Sequence, residues 1–143
     1  MQKYAIVLST LLLIATQSFA QSKSASSVVT DKKNMIYWQD DASSKATSED
    51  WDDAILYCKK LEIDGKRDWR LPTFDELLSI VDYSRVNPAI DPIFEEVAEG
   101  TYWTATNFST TDARAWTIHF STGMTYYSYK TTNHAVRCVK DMK

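Results

Sequence analysis

Tyr126, Tyr127 and Tyr129 crowd one short stretch, Met124 to Tyr129, just after Gly123. An exposed tyrosine offers a flat apolar ring and a hydroxyl together, which suits stacking on a sugar ring or anchoring a protein partner. In a strand, alternation puts Tyr127 and Tyr129 on one face and Tyr126 on the other. Tyrosine is also favoured in strands for its propensity alone, so ordinary packing is the competing account. Asn87, in a proline-punctuated stretch between Val86 and Asp91, joins the tyrosines as a candidate contact.

Other residues that could do chemistry lack the company chemistry needs. His119 and His134 each lie among hydrophobic neighbours, with no carboxylate or second histidine at motif spacing. No nucleophile, base and orienting group fall together, so no catalytic residue, metal or cofactor is expected. Glu49, Asp50, Asp52 and Asp53 resemble a cation site in composition. Around a helix axis they point in different directions, and acidic residues suit the positive end of the helix dipole. Arg70 and Arg137 stand in apolar contexts, where structural ion pairing is expected; Asp64, Asp68 and Glu76 are near Arg70 in sequence.

The only cysteines are Cys58 and Cys138. Their chemistry depends on compartment, and the N-terminus supplies an address. Lys3 precedes an apolar run from Ala5 to Ala15, and Ser18-Phe19-Ala20 places small residues where a signal peptidase reads. The run is too short to anchor in a bilayer, and no insertion is expected after cleavage. Residues 1–20 therefore read as a signal peptide, 21–27 as a Ser-rich flexible lead-in, and 28–143 as a single domain. In an oxidising compartment Cys58 and Cys138 are expected to form a disulfide. Closing a loop of that length stabilises by at most about 4 kcal/mol in the chain-entropy model. The whole chain carries a formal charge of −3, and loss of Lys3 makes it one unit more negative. With no Lys/Arg cluster, nucleic acid and anionic lipid are poor partners.

The elements that position these residues follow from periodicity. Val28–Thr30 and Met35–Trp38 read as a β-hairpin, and 40–48 as a loop. Trp51, Ala54, Ile55, Cys58 and Leu61 form one helical face, capped by Thr47 or Ser48 and closed by Gly65. Trp69-Arg70-Leu71-Pro72-Thr73 is a hinge: Pro72 blocks helix, and Thr73 starts one in a capping box with Glu76, running to about Tyr83. Residues 84–100 read as the longest loop. Tyr102–Thr106, Ala113–Phe120, Met124–Tyr129 and His134–Val139 then read as an antiparallel meander. All five tryptophans match core-directed positions.

This order resembles the Lcl C-terminal domain family of exported bacterial domains. The matching pieces are Val29-Thr30-Asp31, Met35-Ile36-Tyr37-Trp38-Gln39, Trp51 to Cys58, Asp68 to Leu77, Tyr102-Trp103-Thr104-Ala105-Thr106, Ala115-Trp116, Gly123 and Val136-Arg137-Cys138-Val139. The resemblance implies an α+β, C-type-lectin-like fold, with two helices packed on antiparallel strands and one disulfide. It also implies an architecture related to formylglycine-generating enzymes. The family's best-known setting is a collagen-like surface adhesin associated with sulfated polysaccharides. With only three glycines, this chain has no collagen stalk. The sugar-binding loop of calcium-dependent lectins is not matched either: Val86-Asn87-Pro88 and Trp116-Thr117-Ile118 lack the oxygen ligands that calcium requires.

The expected function is an exported, non-catalytic module, periplasmic or secreted, that binds a glycan or an envelope protein and serves adhesion. The alternatives are a structural part of an envelope assembly or an enzyme akin to the formylglycine-generating ones.

Overall fold

The computed structural model describes residues 26–109 and 112–143; the expected signal peptide and most of the expected Ser-rich lead-in lie outside them. The first hairpin pairs β1 (Val28–Asp31) with β2 (Ile36–Gln39). Its turn is held by the Asp31 carboxylate, which accepts from the backbone N–H and the side-chain amide of Asn34.

The segment expected to be a loop instead holds α1 (Ala42–Ala46), capped by Asp41, and β3 (Ser48–Glu49). The next helix, α2 (Trp51–Lys60), is capped by Asp50, whose side chain accepts from Asp53 N–H. Thr47 and Ser48 are not its caps, because both lie upstream in other roles: Thr47 closes α1, and Ser48 pairs with Ala135. Nor does Gly65 end the helix. Leu61 does, and Asp64 and Gly65, at φ of 50° and 69°, turn a tight hairpin closed by reciprocal hydrogen bonds between Ile63 and Lys66. Two successive positive-φ residues are what such a turn requires, and Asp-Gly supplies them at low cost.

The hinge after it behaves as expected. Thr73 and Glu76 form a reciprocal capping box at the start of α3 (Phe74–Ser79). The helix stops short of Tyr83 because the chain becomes extended, with Val81 bridging to Ile90. The α+β chain thus has three helices among the described residues, and only α2 exceeds two turns.

The second half supplies β4 (Thr101–Asn107), β5 (Arg114–His119) and β6 (Met124–Tyr129), paired antiparallel in sequence order. The expected terminal strand is broken in two. β7 (His134–Ala135) lies between β3 and β4, parallel to β4, and so departs from an all-antiparallel meander. β8 (Val139–Asp141) crosses to the first sheet and pairs with β2. The sheets run β1-β2-β8 and β3-β7-β4-β5-β6. Between β7 and β8, Val136, Arg137 and Cys138 are wholly buried, so the chain passes through the core as it changes sheet.

Two apolar clusters fill the interior. One gathers Trp38, Leu77, Ile80, Ile90, Phe94, Tyr102, Ile118 and Phe120. The other gathers Ala54, Cys58, Trp69, Leu71, Trp103, Val136 and Cys138. The Cys58–Cys138 disulfide is formed in the second cluster and ties α2 to the crossing segment. Trp38, Trp69 and Trp103 are buried, but Trp51 and Trp116 are only half-buried. Trp51 sits at the helix start with the Lys130 ammonium 3.6 Å from its ring centre, and Trp116 opens onto the surface described next.

Candidate functional site: an aromatic strip on the outer strand

β6 is the outermost strand of its sheet, and nothing charged occurs in it. Register with β5 places Tyr127 opposite Trp116 and Tyr129 opposite Arg114, so all four share a face. At the end of β4 the ladder shifts between Trp103 and Asn107, and Phe108 N–H then bonds Arg114 O. That irregularity swings the Phe108 ring onto the same face.

The result is a row of touching rings. Phe108 stacks on Tyr127 with centroids 3.9 Å apart and meets Trp116 edge-on at 4.9 Å. Trp116 in turn contacts Phe74 of α3 at 5.1 Å. The Arg114 guanidinium lies 5.1, 5.0 and 5.7 Å from the ring centres of Phe108, Tyr127 and Tyr129. Among the described residues no carboxylate pairs with it, so its cation–π contacts leave N–H donors to spare. Tyr127 is 49% exposed and Tyr129 62%. The strip is therefore anchored at its Phe74 end and open at its tyrosine end. Chemically it can stack on a flat apolar face while a guanidinium donates to oxygen acceptors beside it.

Tyr126 lies on the other face, 46% exposed, with its hydroxyl donating to Met124 Sδ at 3.3 Å. Asn87 is elsewhere. Its N–H bonds Ser121 O beyond the far end of β5, where β6 begins, and not at the end that carries Arg114 and Tyr129. The structure thus brings Tyr127 and Tyr129 together and leaves Asn87 and Tyr126 apart from them. Arg114 is legible in the sequence as a basic residue two positions before Trp116, on the same strand face. Phe108 is the member the sequence does not show, because it lies between the expected strands Tyr102–Thr106 and Ala113–Phe120.

The remaining polar groups are occupied in other ways. His134 Nε2 is 2.7 Å from Ser128 Oγ, and its ring meets Trp103 edge-on. Burial pushes its pKa below the ordinary imidazole value. This is a hydroxyl–imidazole pair, but among the described residues no carboxylate bonds His134 to orient it as a base. His119 Nδ1 accepts from Ser121 N–H. Arg70 forks onto Glu76 at 2.8 and 2.9 Å and also reaches Asp141 at 2.7 Å, which makes it a structural residue. Among the described residues no three His, Cys, Asp or Glu groups could hold a metal ion. A cleft of about 410 Å³ lies against the β1–β2 turn, but Asp31 on its wall is already engaged by Asn34 and Trp38.

The model of the family described as the Lcl C-terminal domain matches residues 27–140. No curated protein matches the chain.

Proposed function

The chain belongs to the Lcl C-terminal domain family, and from that premise we propose that it is an exported, non-catalytic binding module of C-type-lectin-like architecture that recognises a glycan. The observation that carries this reading is the strip itself: Tyr127, Tyr129 and Phe108 gathered around a guanidinium that no carboxylate neutralises among the described residues. Pyranose rings present apolar C–H faces that stack on aromatic rings, and their hydroxyl or carboxylate oxygens accept from arginine. One cation on a chain of net charge −3 suits neutral or sparsely acidic sugars better than a densely sulfated polymer. The recognition needs no calcium, since the strip contains no oxygen ligands for it.

Export is supported by Lys3 and the Ala5–Ala15 run and by the Cys58–Cys138 disulfide. A disulfide persists in oxidising compartments such as the periplasm or the cell exterior.

The test is titration of the oxidised protein with oligosaccharides of neutral hexoses and of uronic acids, in calcium and in chelator. The Tyr127→Ala/Tyr129→Ala double variant should bind at least about tenfold more weakly at an unchanged melting temperature, a loss of about 1.4 kcal/mol. Full binding by the folded double variant, or binding abolished by chelator, would overturn the proposal.

A further inference from the structure

β6 has a second property, independent of what its side chains bind. Its outer edge is open at Thr125 and Tyr127, and at its end the Tyr129 carbonyl accepts from Thr132 N–H. Lys130 N–H bonds Ala113 O, and Lys130 stands opposite Ala113 in the register. Alternation along an antiparallel pair then turns the peptide groups of Ser128, Tyr126 and Met124 towards β5 and those of Thr125, Tyr127 and Tyr129 away from it. Among the described residues no backbone hydrogen bond reaches Thr125 or Tyr127 from outside. Native sheets guard such an edge with lysine, proline, a bulge or a covering element. Met124-Thr125-Tyr126-Tyr127-Ser128-Tyr129 has no charge and no proline, its pairing with β5 runs unbroken, and five of its six residues are exposed.

We propose that β6 pairs antiparallel with β6 of a second copy of this chain, about a two-fold axis through Tyr127. The occupant is argued from self-complementarity. A two-fold axis normal to the sheet keeps each face continuous, so a residue can stand opposite only one that shares its face. Centring on Tyr127 sets Tyr127 opposite its own copy, Thr125 opposite Tyr129, and Tyr126 opposite Ser128. Each flanking tyrosine thereby meets a small hydroxyl side chain, and the outward groups of Tyr127 meet their own copy in hydrogen-bonded register, while Tyr129 N–H meets Thr125 O and the second lone pair of the Tyr129 carbonyl is left for Thr125 N–H. Centring on Tyr126 would leave Tyr129 outside the ladder, opposite Gly123. Two acidic domains ordinarily repel, but this edge puts no like charges across the junction. Arg114 is one strand back and faces Tyr129, so the two guanidinium groups do not meet. The two five-stranded sheets become one, and the two aromatic strips become a single surface with doubled valency.

The experiment is sedimentation of the disulfide-bonded protein from about 1 µM to about 500 µM, the span over which modest interfaces associate. Amide hydrogen exchange is measured at both extremes. A concentration-dependent dimer is expected, with the Thr125 and Tyr127 amides gaining protection only where the dimer forms. Thr125→Pro removes an outward N–H without touching the β5 ladder, and Thr125→Lys places a charge on the edge. Both should weaken association at least about tenfold, about 1.4 kcal/mol. A wild type that stays monomeric throughout would overturn the proposal. So would a dimer whose Thr125 and Tyr127 amides exchange as in the monomer, or folded variants that dimerise as tightly. Should the variants misfold, the exchange pattern of the wild type decides alone.

Discussion

Arg137 donates to the Asp40 carboxylate at 2.9 Å inside the protein, with side-chain exposures of 0% and 3%. The pair joins three segments. Arg137 also donates to the backbone oxygens of Gln39 and Glu96, and Asp40 accepts from the N–H groups of Glu95 and Glu96. Phe94 and Tyr102 pack their rings against the guanidinium. The end of the long loop is thus fastened to the first sheet and to the segment that crosses between sheets.

Breaking the pair from one side should be severe. Asp40→Asn or Arg137→Met is expected to cost about 3–5 kcal/mol, because each leaves the other charge buried without its counter-ion. The double substitution should cost less than the sum of the two single ones, since it leaves neither charge stranded. Urea midpoints for the three variants check this; additive losses would mean that the two residues act separately.

Acid should unfold the protein in two stages. Burial pushes the Glu76 carboxyl up, but the Arg70 fork and the Thr73 N–H outweigh it and hold the group below its ordinary value. Arg70 likewise holds Asp141 below its own. A depressed carboxylate contributes stability that is complete above the ordinary carboxylate range and is lost as pH falls through the folded value. His134, lowered by burial, has the same sign at higher pH: the unfolded chain takes up its proton first. Melting temperature should be level near neutrality, begin to fall below pH of about 6.5, and fall again below about 4. His134→Gln should remove the first step and Glu76→Gln should shrink the second. A profile identical in both variants would contradict the assignment.

The disulfide closes a sequence separation of 80 residues. Reduction should therefore lower unfolding free energy by up to about 4 kcal/mol. Intact mass should rise by about 2 Da on reduction, and denaturation midpoints of the oxidised and reduced protein measure the energy. Alkylation of both thiols without prior reduction would refute the bond.

Gly123 is the one glycine whose side-chain space is filled. A Cβ there would come 2.6 Å from Val81 Cγ1, at a φ of 76°. Gly123→Ala should cost more than about 1 kcal/mol, by strain and by displacement of Val81 from the β5–β6 turn. Gly65→Ala, with positive φ but open space, should cost less, and thermal melts of the two rank them.

What was legible in the sequence was mostly local. The capping box at Thr73 and Glu76, the bounds of β6, the apolar face of α2 and the disulfide all rest on short-range pattern or on compartment, and the structure has them. What was not legible depends on distant partners. His134 to Val139 reads as one strand, yet the burial of Arg137 on Asp40 and of Cys138 on Cys58 takes the middle of it through the core. Ser48 reads as a cap until β7 pairs with it. The aromatic strip divides the same way. Tyr127 and Tyr129 follow from alternation, whereas Phe108 arrives through a bulge in β4.

The last prediction separates two places a ligand could sit. From the sequence, the Val86–Asp91 loop and the Tyr127–Tyr129 face belong together. In the structure the loop is fixed to Phe120 and Ser121 at one end of the β5–β6 pair, while Phe108, Arg114 and Tyr129 occupy the other end. Val86 is 75% exposed, so its side chain is free to be changed without disturbing the core. If the strip binds sugar, Val86→Ser should leave oligosaccharide affinity within about twofold. Phe108→Ala should weaken it at least about tenfold, because Tyr127 loses the ring that holds it in place and Arg114 loses one of its three faces. Calorimetric titration of both variants with the same oligosaccharide gives the comparison, and melting temperatures guard against misfolding. Loss of binding in Val86→Ser alongside full binding in folded Phe108→Ala would move the site to the loop.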